Sequence, residues 1–199
     1  FEVLDDGEAI RLEPAIIGAR VNQILAPYGK KIGPDPASIN SCKVAGMAAN
    51  NSSGMCCGVA QNSYHTVKDM TLIFADGTVL DTADSQSCEK FLQSHGAWVD
   101  ELMSLVDSVK ENSDLSERIA HKYRLKNTTG YGLNALLDFS DPIEIIKHLI
   151  IGSEGTLAFI ADITYHTVIE HAHKHTGFFI FDDISKVCEL VQRLSELDV

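Results

Sequence analysis

Gly33-Pro34-Asp35-Pro36-Ala37-Ser38, followed from Ser41 to Gly54 by SCKVAGMAANNSSG, constrains the reading of this chain more than any other stretch. Between Ala45 and Gly54 nothing is charged and only Met47 is large. A loop of Gly, Ala, Ser and Asn lets its backbone approach a partner closely, with N–H groups aimed at an anion. Asn50, Asn51, Ser52 and Ser53 add short hydrogen-bonding side chains. That combination suits a polyanion such as a dinucleotide, held by main chain rather than by arginine. A turn where two backbones pack tightly has the same composition, and the residues leave both readings open. No Lys-Ser or Lys-Thr pair ends the run, so it is not a Walker loop, and the Gly-x-Gly-x-x-Gly spacing is absent.

The rest of the chain narrows the class. Its 199 residues suffice for one sizeable core. A hydrophobic share of 45% with 22% charged residues is that of a folded soluble protein. The net charge of −12 argues against nucleic acid, which is bound by clustered Lys and Arg, and against a polybasic membrane patch. Cys42, Cys56, Cys57, Cys88 and Cys188 are odd in number and form no Cys-x-x-Cys pair. They read as reduced thiols of a cytosolic protein. Phe1-Glu2-Val3-Leu4 reads as a strand starting in mid-phrase and Leu194 to Val199 as a helix without a cap, so a piece of a larger protein is expected.

Local patterns place the elements. Phe1 to Glu13 alternates around Asp5-Asp6-Gly7 and predicts a β-hairpin, and Met70 to Asp81 predicts another with Asp76-Gly77 at its tip. Helices are expected from Ile16 to Ala26, stopped at Tyr28-Gly29, and from Ser87 to Asn112 with a break near His95-Gly96. Others are expected from Ser113 to Tyr123, entered at Ser113 or Asp114, and from Asp141-Pro142 onward. Thr156 to Val168 reads as a long strand, Gly177 to Phe181 as strand-like, and Ile184 to Leu197 as an amphipathic helix. Hairpins and grouped helices make this an α+β chain.

Three small-residue loops recur along it: Gly33 to Gly54, Lys126 to Gly132, and Gly152 to Gly155. One is ordinary; three suggest a ligand that runs a long way across the fold. Lys126 is a cation suited to a substrate carboxylate, although most Lys are solvated. Tyr64, Tyr123 and Tyr131 are candidates to stack on a ring. His171-x-His173-x-His175 has strand spacing for a metal, but its polar setting and lack of a Cys or Asp favour a linker. No Gly-x-Ser-x-Gly nucleophile signature occurs.

The ordered run GPDPASINSCKVAGMAANNSSG, NSYHTVKDMTLIFADGTVLDT, KNTTGYGLNALLDF and IIGSEGTLAFIADITYHTV resembles the FAD-binding region of vanillyl-alcohol oxidase-type, or PCMH-type, flavoproteins. It is most similar to bacterial FAD-linked D-lactate dehydrogenases and glycolate oxidase subunits of the long form with a C-terminal iron–sulfur region. The resemblance implies an α+β fold corresponding to the second FAD subdomain, a mainly antiparallel sheet flanked by helices, without the first subdomain and its pyrophosphate loop. It implies that residues 1–170 are FAD-binding, and that 171–199 are a linker and the start of the substrate-cap domain.

Carried over position by position, it implies FAD contacts at Pro34, Asp35, Pro36, Ser41, Cys42, Gly46, Asn50, Ser53, Gly54, Gly155 and Ile160. Ala45 replaces the first Gly of the family's Gly-Gly pair. Lys126, Asn127 and Thr129 match a substrate-side loop. His65 stands where many relatives have Gly, and covalent flavin attachment there is not favoured. Catalytic residues and any metal are implied to lie elsewhere, as is a 4Fe-4S cluster. The expected substrate is a D-2-hydroxyacid, D-lactate first, oxidised by hydride transfer to FAD. Electrons would pass to a quinone, a cytochrome or an iron–sulfur relay, with no nucleic-acid partner. The full-length protein would be cytoplasmic or peripheral on the inner membrane face. Glycolate, 2-hydroxyglutarate or alditol oxidation on the same scaffold is the alternative, as is a non-catalytic piece that does not bind FAD.

Overall fold

In a computed structural model that describes residues 1–173 and 176–195, six strands form one antiparallel sheet. They are β1 (Glu2–Leu4), β2 (Ala9–Leu12), β3 (Lys30–Ile32), β4 (Val67–Ile73), β5 (Val79–Asp81) and β6 (Phe159–Ile169). Their order is β1-β2-β6-β4-β5, with β3 on β6 beyond β2. The strand latest in sequence is therefore the centre: β6 pairs with β2, β3 and β4. Ile163 and Tyr165 on β6 are fully buried, and Tyr165 Oη shares a 2.8 Å hydrogen bond with buried Ser63 Oγ. The hydroxyl is thus satisfied without water, as a buried polar group must be.

Both expected hairpins are present. Asp5 and Asp6 take positive φ (50° and 52°) and Gly7 94°, a backbone that Asp and Gly tolerate best. At the second tip Gly77 has φ 87° and Asp76 Oδ1 accepts the Thr78 N–H at 2.9 Å.

The helices are α1 (Gly18–Leu25), α2 (Val44–Asn50), α3 (Ser63–Thr66), α4 (Ser85–Ser94), α5 (Gly96–Glu111), α6 (Ser113–Lys122), α7 (Ala135–Asp138), α8 (Pro142–Ile150) and α9 (Ile184–Ser195). The break at His95 and the stop at Gly29 (φ 66°) are as expected. Asp141 caps α8 by accepting the N–H groups of Ile143 and Glu144 at 2.9 and 3.0 Å, with Pro142 in the first turn. Helix α8 then buries Ile143, Ile146 and Ile150 against the sheet, while Ile145 joins Val106, Val109, Ile119 and Leu136 in a second cluster.

Four expectations are corrected. The small-residue run is not all loop: Val44–Asn50 is helical, because Ala is the best helix former and Val44, Met47 and Ala48 supply a buried face. Helix α6 is capped by Asn112, whose Oδ1 accepts the Leu115 N–H, one residue before the expected cap. The final strand begins at Phe159 rather than Thr156, because residues 152–158 are spent in turns. Gly177 to Phe181 is not a strand: Phe178, Phe179 and Ile180 are exposed, and no neighbouring strand takes up their backbone groups.

His175 of the His-x-His-x-His pattern lies outside the described residues, and His171 and His173 are exposed. No group of three metal-ligating side chains occurs among the described residues, and none of their helices is long and apolar enough to cross a membrane.

Because β6 anchors three strands, truncation at its centre should be costly. Ile163→Ala is expected to lower stability by about 2–5 kcal/mol, read from urea denaturation. A loss under about 1 kcal/mol would show that the central strand tolerates a cavity.

Candidate functional site

The C-terminal end of α2 is where the three small-residue loops meet. A helix ends with unpaired carbonyls. Here the Gly152 N–H donates to Ala48 O at 3.1 Å and the Glu154 N–H to Ala49 O at 2.8 Å. Asn51 turns left-handed (φ 49°), and the Ser52 N–H reaches back to Met47 O at 2.8 Å, closing the helix as a C-cap. Asn50 Nδ2 adds a 2.6 Å hydrogen bond to Glu154 Oε1. Lys126 Nζ donates to Ser53 O at 3.0 Å, bringing in the third loop. Tyr131 Oη and Thr156 Oγ1, 2.9 Å apart, tie the Lys126–Gly132 loop to the turn after Gly155.

Beneath this surface two backbones are in close contact. A Cβ on Gly54 would overlap the Asp35 carbonyl, and one on Gly33 would overlap the Gln61 carbonyl. Asp35 Oδ2 and Oδ1 accept the N–H groups of Cys56 and Cys57, each at 3.2 Å. Burial pushes the Asp35 carboxyl up, but hydrogen bonds from Cys57 and Cys56 outweigh it and hold the pKa below the usual value. The Cys57 thiol is pushed up, by burial first and by Asp35 next, which keeps it an unreactive thiol.

Gly46 and Gly155 differ. An added Cβ at either meets nothing within 4 Å, and both residues are exposed. Their backbone is open to solvent.

The expected cofactor residues therefore divide. Pro34 and Pro36 are buried, Asp35 is committed to the cysteine amides, Ser41 Oγ donates to Ser38 O at 3.1 Å, and Cys42 is half-buried. Asn50, Ser53, Gly54 and Gly155 belong to the loop junction, and Gly46 lies one turn back along α2. Ile160 stands apart: it is in register with Leu72 and its side chain is buried in the core. Lys126 and Thr129 are exposed, and Asn127 Oδ1 accepts the Thr129 N–H at 3.2 Å. Among the described residues Lys126 makes no ion pair with an acid.

Two residues were not expected. Glu154 clamps Asn50. Ser153 is buried with its Oγ lacking any hydrogen-bond partner, the one such side-chain atom among the described residues. The space enclosed between Asn51, Tyr64, Lys126, Asn134 and Gly152 is about 30 Å³, room for one water. That space is too small for a dinucleotide. The open backbone of Gly46 and Gly155 and the orphaned Ser153 hydroxyl suit a cofactor held mainly by main chain.

Residues 1–83 match the family of the FAD binding domain. FAD is accordingly the cofactor, and the matched segment contains Pro34 to Gly54. The chain is also similar to D-2-hydroxyglutarate dehydrogenase of Pantoea ananatis (strain AJ13355), 25% identical over 168 residues, covering 81% of this chain and 16% of that protein. To D-2-hydroxyglutarate dehydrogenase of Haemophilus influenzae it is 22% identical over 166 residues, covering 77% of this chain and 15% of that protein. The chain thus spans less than one fifth of the length of these relatives.

Tyr64 carries the junction into the core. Its N–H donates to Asn51 Oδ1 at 3.2 Å and its Oη to Asp138 at 2.7 Å. Burial, then Asp138, push its pKa up, so it stays a neutral donor. His148 stacks on Phe139 (3.9 Å between ring centroids) and meets Tyr64 edge-on at 4.8 Å, with Nδ1–H on Glu144 O at 2.8 Å. Burial lowers its pKa from 6.5. The folded state therefore resists a proton that the unfolded state accepts. Stability from this group is intact above pH 6.5 and falls as pH drops from there to the lowered folded value. Urea midpoints between pH 7.5 and 5 should show that decline, and His148→Gln should flatten it.

The two kinds of glycine predict opposite outcomes. Gly54→Ala should destabilise by about 1–3 kcal/mol through the clash with Asp35, whereas Gly46→Ala in the helix should stabilise by about 0.5–1 kcal/mol. Thermal denaturation of both variants checks the contrast.

Proposed function

We propose that this chain holds FAD in an oxidoreductase that converts a D-2-hydroxyacid to the 2-oxoacid. The observation that carries this reading is the junction of three small-residue loops on the end of α2, within and beside the segment matching the FAD binding domain. FAD, when bound, supplies the hydride acceptor. The residues of this chain orient and bind. Gly46 and Gly155 offer backbone without a side chain in the way, and Ser153 offers a hydroxyl not otherwise engaged. Lys126 uses one N–H on Ser53 O, which leaves two of its three donors for a substrate carboxylate. Asn127 and Thr129 line the same loop. The α-hydroxyl proton requires a base from another part of the protein.

The names of the two relatives support a D-2-hydroxyacid with a second carboxylate, D-2-hydroxyglutarate, whereas D-lactate rests on the sequence resemblance alone. A cation on the substrate side serves either acid. We take the electron acceptor to be a quinone, a cytochrome or an iron–sulfur relay, and residues 171–199 to lead into the substrate-cap domain.

Lys126→Ala in the full-length protein is expected to lower kcat/KM about tenfold to a hundredfold, the size of a lost charge-assisted hydrogen bond, with FAD content unchanged. Comparing D-lactate with D-2-hydroxyglutarate on wild type ranks the substrates. Equal kcat/KM for wild type and variant at matched flavin loading would place the carboxylate contact elsewhere. Gly46→Val should reduce flavin retention while leaving far-UV circular dichroism intact; a fully yellow variant would remove Gly46 from the cofactor surface.

A further inference from the structure

On the other side of the Gly152–Thr156 turn lies a second cavity, of about 350 Å³, between the β4–β5 hairpin tip, the α4–α5 junction and the end of α8. Its size falls in the range of small-molecule sites. Its wall is aromatic. Phe74 and Phe91 stack at 5.1 Å, and Trp98 stands at 89° to Phe91 and 69° to Phe74, with centroids 6.0 and 6.3 Å away. Trp98 remains 45% exposed despite these neighbours. Leu149 at the end of α8 adds aliphatic surface.

The polar groups are few and fixed. His95 lies flat on Phe91, centroids 4.5 Å apart and planes at 10°. Its Nε2–H donates to Asp76 Oδ2 at 3.1 Å, and its Nδ1 shares a 2.8 Å hydrogen bond with Ser94 Oγ. Asp76 Oδ1 accepts the Thr78 N–H. The Thr78 amide first, and His95 next, hold the Asp76 carboxyl down at about 2, so it stays ionised. The Thr78 side chain adds a third hydrogen bond, and a carboxylate accepts about four, so acceptor capacity remains.

The exposed ring of Trp98 beside a held carboxylate is the chemistry that recognises an organic cation. A neutral ring would gain only the apolar contacts. The acidic balance of the chain, net −12, favours the same charge. We propose that this cavity binds a small aromatic amine, its ring against Trp98 and Leu149 and its ammonium on Asp76. Nothing in the cofactor junction is needed for it; the two sites share only Thr156.

Trp98 is the single tryptophan of the chain, so its emission reports on this cavity alone. Phenethylamine titrated into the protein should change that emission saturably and bind at least about tenfold more tightly than the neutral isostere 2-phenylethanol, a difference of one charge contact. Asp76→Asn, which keeps the shape of the side chain, should abolish that preference. Added NaCl should weaken phenethylamine and not the alcohol in wild type, which tests the charge contact without any variant. No saturable change with either compound up to about 10 mM would overturn the proposal. So would equal affinities, or a preference indifferent to both salt and Asp76→Asn.

Discussion

The arrangement of this protein depends on two backbone hydrogen bonds, from Gly152 and Glu154 to the carbonyls of Ala48 and Ala49. They join segments about a hundred residues apart in the chain. The carbonyls at a helix end need partners, and the amides of a tight turn need acceptors. Each need meets the other, and the loop that precedes β6 is thereby fixed on α2. Asn50 with Glu154, and Lys126 with Ser53, then add side-chain ties to the same place.

What lies under the junction explains why it can hold still. Strand β6 follows the Gly152–Gly155 turn directly and is the most heavily paired strand of the sheet, so the turn inherits the position of the core. On the other side Asp35 grips the amides of Cys56 and Cys57, which pins the segment after Gly54 to the Pro34–Pro36 turn. Most polar side chains of the junction are spent on one another. Gly46 and Gly155 are left exposed, with open space in front of each.

The glycines of the small-residue loops are of two kinds. Gly54 and Gly33 are small because another backbone occupies the space of a Cβ. Gly46 and Gly155 have open space in front of them. Composition could not separate these cases, because an absent side chain looks the same whether a carbonyl or a cofactor fills the gap. The aromatic cavity around Trp98 stands apart from this logic: it is built from α4, α5, α8 and a hairpin tip, with its single carboxylate held by that hairpin's own turn.

Local chemistry was legible in the residues. Asp5-Asp6-Gly7 and Asp76-Gly77 specify hairpin tips, Asp141-Pro142 starts a helix, and His95-Gly96 divides two, since each depends on torsions and hydrogen bonds within a few positions. The FAD-binding character of the first half, the antiparallel α+β class and the three loops were legible too. Helix α2 was missed because Gly and Asn signals masked an Ala-rich stretch whose helicity is secured by burying Val44, Met47 and Ala48. The short strand β3 was missed because three residues carry no periodicity, and it exists only through pairing with β6. Ser153 and Glu154 gained their roles from contact with α2, which no spacing in the sequence encodes. The sequence by itself determined turns, caps and the kinds of side chain available. Only the tertiary structure decided which glycine faces a carbonyl and which faces open space, because that depends on backbone from a distant part of the chain.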